Sequence, residues 1–181
     1  MEIKLKHAVY IFLLLFLNLI PLSGQLLLDS YADGNFTSSP IWSGDNTNWQ
    51  IVTNSNAGPG TTGSNTLKLN ASGAGTSYLS SQIAYWGGTQ EWGFWIGRGL
   101  QAFTATNQMH IWLYANESNL TSTTVDGYRL SIGDNTGNDE IRLEYIVNGA
   151  VNSTVLTSSG ALLNGLADIS VLLRVTRSST G

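Results

Sequence analysis

Residues 141–155 read Ile141-Arg142-Leu143-Glu144-Tyr145-Ile146-Val147-Asn148-Gly149-Ala150-Val151-Asn152-Ser153-Thr154-Val155. Ile141, Leu143 and Tyr145 alternate with Arg142 and Glu144, the period-two pattern of a strand with one buried face. Asn148-Gly149 follows, the dipeptide that best tolerates positive φ at both central positions of a two-residue turn. The stretch predicts an antiparallel hairpin, and the rest of the chain repeats its vocabulary.

Working outward, short apolar alternations recur over residues 26–30, 49–53, 66–70, 76–82, 91–96, 108–115, 127–132, 140–147, 151–157 and 168–177. Turn formers separate them, among them Gly44-Asp45-Asn46, Asn56-Ala57-Gly58-Pro59-Gly60, Ser72-Gly73-Ala74-Gly75 and Gly133-Asp134-Asn135-Thr136-Gly137. No dozen-residue stretch carries apolar residues at i, i+3, i+4 and i+7 without interruption by Gly, Asn, Ser or Thr. About ten strands at this spacing predict an all-β chain, an antiparallel sandwich or barrel. The last alternation runs into Ser178-Ser179-Thr180-Gly181, which reads as a turn whose return strand is missing. A long apolar strand left alone would be an open edge, so the domain over residues 25–181 is expected to lack its C-terminal strand or strands.

The length of 181 residues favours one domain. In residues 1–24, Lys4 and Lys6 precede an apolar run from Ala8 to Ile20, then Pro21-Leu22-Ser23-Gly24. This is the three-part layout of a secretory signal peptide cut after Gly24. A membrane anchor needs about 20 apolar residues, whereas Asn18 interrupts this run and no basic flank follows, so no membrane insertion is expected after cleavage. Without the leader, six Lys/Arg face eleven Asp/Glu. Nothing there could neutralise a run of phosphates, and nucleic acid is not an expected partner. The absence of cysteine removes disulfides, zinc–cysteine sites and thiol nucleophiles. In an exported domain it suggests a bacterial source, with an apolar core holding the fold alone.

Alternation assigns side chains to faces. Trp92, Phe94 and Ile96 share one face and Trp95 points the other way. Met109, Ile111 and Leu113 form a core set, leaving His110, Trp112 and Tyr114 opposite. Tyr128, Leu130 and Ile132 oppose Arg129 and Ser131, and Ile141, Leu143 and Tyr145 oppose Glu140, Arg142 and Glu144. If these strands are neighbours, one outer face carries His110, Trp112, Tyr114, Arg129, Arg142 and Glu144. Aromatic rings beside hydrogen-bonding groups suit a polysaccharide, because apolar sugar faces stack on rings while polar groups read hydroxyls. The candidate ligand-binding set is therefore these six with Trp95. The alternative is that a loop or further strands cover Trp112 and Tyr114 as a second small core.

The ordered motifs Asp29-Ser30-Tyr31-Ala32-Asp33-Gly34-Asn35-Phe36, Pro40-Ile41-Trp42-Ser43-Gly44-Asp45, Trp49-Gln50-Ile51-Val52, Ser77-Tyr78-Leu79-Ser80, Trp92-Gly93-Phe94-Trp95, Gly127-Tyr128-Arg129-Leu130-Ser131-Ile132-Gly133 and Leu173-Arg174-Val175-Thr176-Arg177 resemble the N-terminal module of secreted, multidomain surface proteins of Bacteroidota-type bacteria. That module is similar to the concanavalin A-like, laminin-G-like jelly roll. The resemblance implies a two-sheet antiparallel jelly-roll sandwich, export to the medium or cell surface, and a glycan-binding or adhesive role within a larger protein.

Enzyme chemistry finds little purchase. Laminarinase-like glycoside hydrolases share the jelly roll and place two glutamates four apart on one strand with an aspartate between. Glu140-Ile141-Arg142-Leu143-Glu144 has the glutamates but carries Arg142 at the centre. A retaining pair needs one carboxyl with a raised pKa, and an arginine between them acts the other way. A cross-strand charge ladder is the better reading, so a non-catalytic module is expected, with a hydrolase fragment or a ligand-free spacer as alternatives. His110 is the only histidine after the leader, too few for a multi-histidine metal site. No cofactor is expected; Asp134 and Asp139 are the weak calcium candidates, in a loop whose spacing does not match an EF-hand.

Overall fold

The structure, a computed structural model, describes residues 27–54, 64–83, 88–98, 107–133, 139–158, 163 and 169–179. The leader and Asp134 lie outside the described residues. In chain order the elements are β1 (Ser43–Gly44), a 3-10 turn (Asn46–Asn48), β2 (Trp49–Asn54), β3 (Ser64–Leu69), β4 (Leu79–Ser80), β5 (Gln90–Arg98), β6 (Met109–Ala115), β7 (Gly127–Ile132), β8 (Ile141–Val147), β9 (Ala150–Thr157) and β10 (Ile169–Arg177). The fold is all-β; every strand pair is antiparallel, and no α-helix occurs among the described residues.

Two sequence expectations need correction. Residues 27–30 form no strand. Asp29 instead accepts the Tyr31 backbone N–H at Oδ1 (2.8 Å) and the Trp42 indole N–H at Oδ2 (2.8 Å), a local side-chain bond that competes with a ladder. The strand expected over 76–82 shrinks to Leu79–Ser80, paired with β1. Its first residues are held by side chains: Ser77 Oγ accepts from Asn48 and Asp45 Oδ2 from the Tyr78 N–H.

β6, β7, β8 and β9 form a four-stranded meander in that order. The hairpin read at 141–155 joins its last two strands, with Asn148 and Gly149 at φ 51 and 71, as a type I′ turn requires. Directly opposed residues share a face, so the registers define rows across the sheet. One face carries Met109–Ile132–Ile141, then Ile111–Leu130–Leu143–Leu156. The pair β5 and β10 lies against this face. Its register sets Phe94 opposite Leu173 and Ile96 opposite Val171, and those four residues pack with Met109, Ile111, Ile132, Ile141 and Leu163. Ile132 and Leu163 are fully buried, each worth roughly 2 kcal/mol of apolar transfer. These two β layers, one on each side of an apolar seam, are the sandwich-like heart of the molecule. Farther along the seam an open groove of ≈ 320 Å3 separates Leu130, Leu143 and Leu156 from Arg174 and Val175.

Candidate functional site

The opposite face of the meander holds most of the polar residues singled out above. Its rows are His110–Ser131–Arg142–Thr157, then Trp112–Arg129–Glu144–Thr154, then Ala115–Gly127–Ile146–Val151. In the middle row, Arg129 Nε donates to Glu144 Oε2 at 2.9 Å, and the Arg129 guanidinium carbon lies 5.7 Å from the Trp112 ring centroid. Trp112 is half-buried, and the Arg129 and Glu144 side chains are only 15% and 7% exposed. Arg142 Nη2 donates to Glu140 Oε2 at 3.2 Å. Both glutamates of the Glu-Ile-Arg-Leu-Glu stretch are thus engaged by arginines.

His110 is exposed, yet desolvation of its ring, reinforced by the nearby Arg129 charge and opposed by Glu144, lowers its pKa from 6.5 to about 4. Ser131 beside it is buried, as is Ile146 at the sheet's far end. The centre of this face is a closed ladder of ring, guanidinium and carboxylate whose members satisfy one another.

Trp95 stands apart. Phe94 and Ile96 turn inward to the seam, so Trp95 lies on the other side of the β5–β10 pair, opposite the exposed Leu172; it is half-buried there, its indole nitrogen out of solvent and without a hydrogen-bond partner. The structure does not bring it to the other six.

Tyr114 also departs from its expected row. The β6–β7 register shifts between Trp112 and Tyr114, leaving Leu113 as an extra residue, and Tyr114 lies opposite Tyr128. A bulge of this kind reverses the side-chain parity of all that follows. Tyr114 therefore joins the inner face, where the row Tyr114–Tyr128–Tyr145–Ser153 continues beyond the leucines. The Tyr128 and Tyr145 rings stack at 5.0 Å between centroids, with 29° between their planes. Tyr114 is 50% exposed and Tyr128 43%. Three rings on three adjacent strands thus make an uncharged shelf at the end of the face, past the part covered by β5 and β10.

Tyr128 and Tyr145 were missed as site residues because alternation placed them with Leu130 and Leu143, and they do share that face. Among the described residues, β5 and β10 pack on Met109, Ile111, Ile132 and Ile141 of this face, while Tyr114 and Tyr128 stay about half exposed. Of the calcium candidates, Asp139 is buried at φ 46 with Oδ1 lacking a partner, while Asp134 lies outside the described residues. Among the described residues no three acidic, histidine or cysteine side chains gather as metal ligands.

Fold and site together define an antiparallel all-β domain with an aromatic shelf. Comparisons with protein-family models, curated proteins and solved structures gave no match.

Proposed function

We propose that the chain is a non-catalytic, glycan-binding β-sandwich module of the jelly-roll type, exported as part of a larger secreted or surface protein. The observation that carries this reading is the half-exposed tyrosine row. At ordinary strand spacing its outer rings lie about 10 Å apart, a span suited to a short run of sugar rings, and a phenol ring combines a stacking face with a hydroxyl of the kind that reads sugar hydroxyls. The row holds no charge, so it favours a neutral polysaccharide over an acidic one. Glu140 and Glu144, each held by an arginine, support a structural rather than a catalytic role for that pair.

A glycan array probed with the wild type, Tyr128→Ala and Trp112→Ala tests the reading. Tyr128→Ala is expected to weaken a hit at least about tenfold, equivalent to about 1.4 kcal/mol, while Trp112→Ala, whose ring is engaged by Arg129, retains it. No hit on any glycan sinks the proposal in favour of a ligand-free spacer, and a hit indifferent to Tyr128 removes the tyrosine row as the binding site. Release of reducing sugar from a β-glucan, abolished by Glu144→Gln, would replace it with a hydrolase.

A further inference from the structure

β9 is the last strand of the four-stranded sheet, and all eight of its residues are exposed. Among the described residues nothing pairs with its outer edge. Natural edges are normally guarded by lysine, proline or an inward-pointing charge. β9 reads Ala-Val-Asn-Ser-Thr-Val-Leu-Thr and has none of these; its only interruption is the pair of register shifts at Asn152 and Val155. It has instead a pattern symmetric about Ser153. Asn152 and Thr154 flank that serine, then Val151 and Val155, then Ala150 and Leu156.

The registers carry this symmetry into three dimensions. Ala150, Ser153 and Leu156 lie opposite Val147, Tyr145 and Leu143, which share one face of β8. All three therefore project from the same side of β9, although they are three residues apart. Asn152 and Val155, the extra residues at the two register shifts, make that spacing possible.

We propose that two copies of the chain pair antiparallel through β9, about a two-fold axis that passes Ser153 perpendicular to the sheet, giving one continuous eight-stranded sheet. Such an axis keeps each sheet face on its own side. Ala150 then meets the partner's Leu156, Val151 meets the partner's Val155, and Ser153 meets the partner's Ser153. Two copies with a net charge of −4 repel each other in general; β9 is a charge-free strand on which they approach without a like-charge contact. A two-fold pair is self-complementary and consumes the edge, so it closes at a dimer. The contact is smaller than a standard stable interface, so the dimer is expected to be weak and concentration-dependent. The pairing does not depend on whether the tyrosine row takes a sugar.

The chain has no cysteine, so Ser153→Cys introduces a single thiol set against its own symmetry mate. Under mild oxidation the full chain carrying Ser153→Cys should convert mainly to a disulfide-linked dimer, while Ser118→Cys, at an exposed loop position, should not. Sedimentation of the wild type between about 1 and 200 µM, a range that brackets such interfaces, should show monomer passing to dimer. Val151→Lys combined with Leu156→Lys, both at exposed positions, should weaken that association at least tenfold, while the unfolding midpoint at about 1 µM, where both proteins are monomeric, stays within a few degrees of the wild type. A wild type monomeric throughout, equal cross-linking of the two cysteine variants, or a dimer indifferent to the lysines would each overturn the proposal.

Discussion

Arg129 and Glu144 meet at 2.9 Å with little solvent around either side chain. Removing one partner of such a pair leaves the other charge without compensation in a poorly solvated place. Arg129→Ala should therefore cost about 3 kcal/mol in a urea-unfolding experiment, where a surface pair would cost less than about 1. A loss below that surface value would mean the ladder is not the fastening described. His110 gives a second handle. The unfolded chain takes up its proton near pH 6.5, the folded chain only near pH 4. The unfolded state binds more protons between those values, so stability is fully present above pH 6.5 and falls as pH drops toward 4. Thermal midpoints measured at pH 7 and pH 4.5 should differ less in His110→Gln than in the wild type, since the carboxylates titrate in both. A pH slope identical in the two proteins would contradict the shift.

β6 and β7 show where an element departs from its sequence pattern. Nothing in Ile111-Trp112-Leu113-Tyr114 marks a bulge; the alternation runs on unbroken, and local reasoning carries Tyr114 to the wrong face. The one local sign is Gly127, opposite Ala115. A glycine within a strand marks a bulge or a close backbone approach, and here a Cβ would run into the Tyr114 carbonyl oxygen and lie 3.1 Å from the Ala115 Cα. Backbone cannot yield as a side-chain tip can. Gly127→Ala should cost about 2 kcal/mol through overpacking and should disturb the Tyr114–Tyr128 neighbours, and with them the glycan binding proposed for that row. Gly93→Ala on β5, where a Cβ meets nothing within 4 Å, is the matched control and should be neutral or slightly stabilising. Equal unfolding midpoints for the two variants would sink this account of the bulge. The 141–155 hairpin was legible in its pairing and its turn, because both are local; the two register shifts at Asn152 and Val155 were not. The strand expected over 26–30 is absent over its described residues 27–30, because Asp29 finds its partners in Tyr31 and Trp42 rather than in a ladder.

At the scale of the molecule, fold class was legible and strand order was not. Alternation says which side of a strand is apolar without saying what covers it. β5 pairs with β10 across seventy intervening residues, and that pair closes the inner face over Met109, while Tyr114 and Tyr128 stay about half exposed. The polar residues of the other face were gathered correctly by parity, yet their closure into a Trp112–Arg129–Glu144 ladder depends on side-chain reach that a pattern does not encode. One junction of the fold bears on where the chain can be cut or lengthened. The Asn148-Gly149 turn looks like the natural place to graft a peptide or open the chain. It is already occupied: Gly149 N–H donates to the Val125 carbonyl at 2.9 Å, Asn148 N–H to Asp126 Oδ1 at 2.7 Å, and a Cβ on Gly149 would lie 2.7 Å from the Ser122 oxygen. The turn is the peg on which the loop over residues 116–126 hangs, and Val125, 1% exposed, would be drawn into water with it. An insertion there would breach two segments at once; the exposed Ser72-Gly73-Ala74-Gly75 bend, where a Cβ on either glycine meets nothing within 4 Å, is the place that would absorb one.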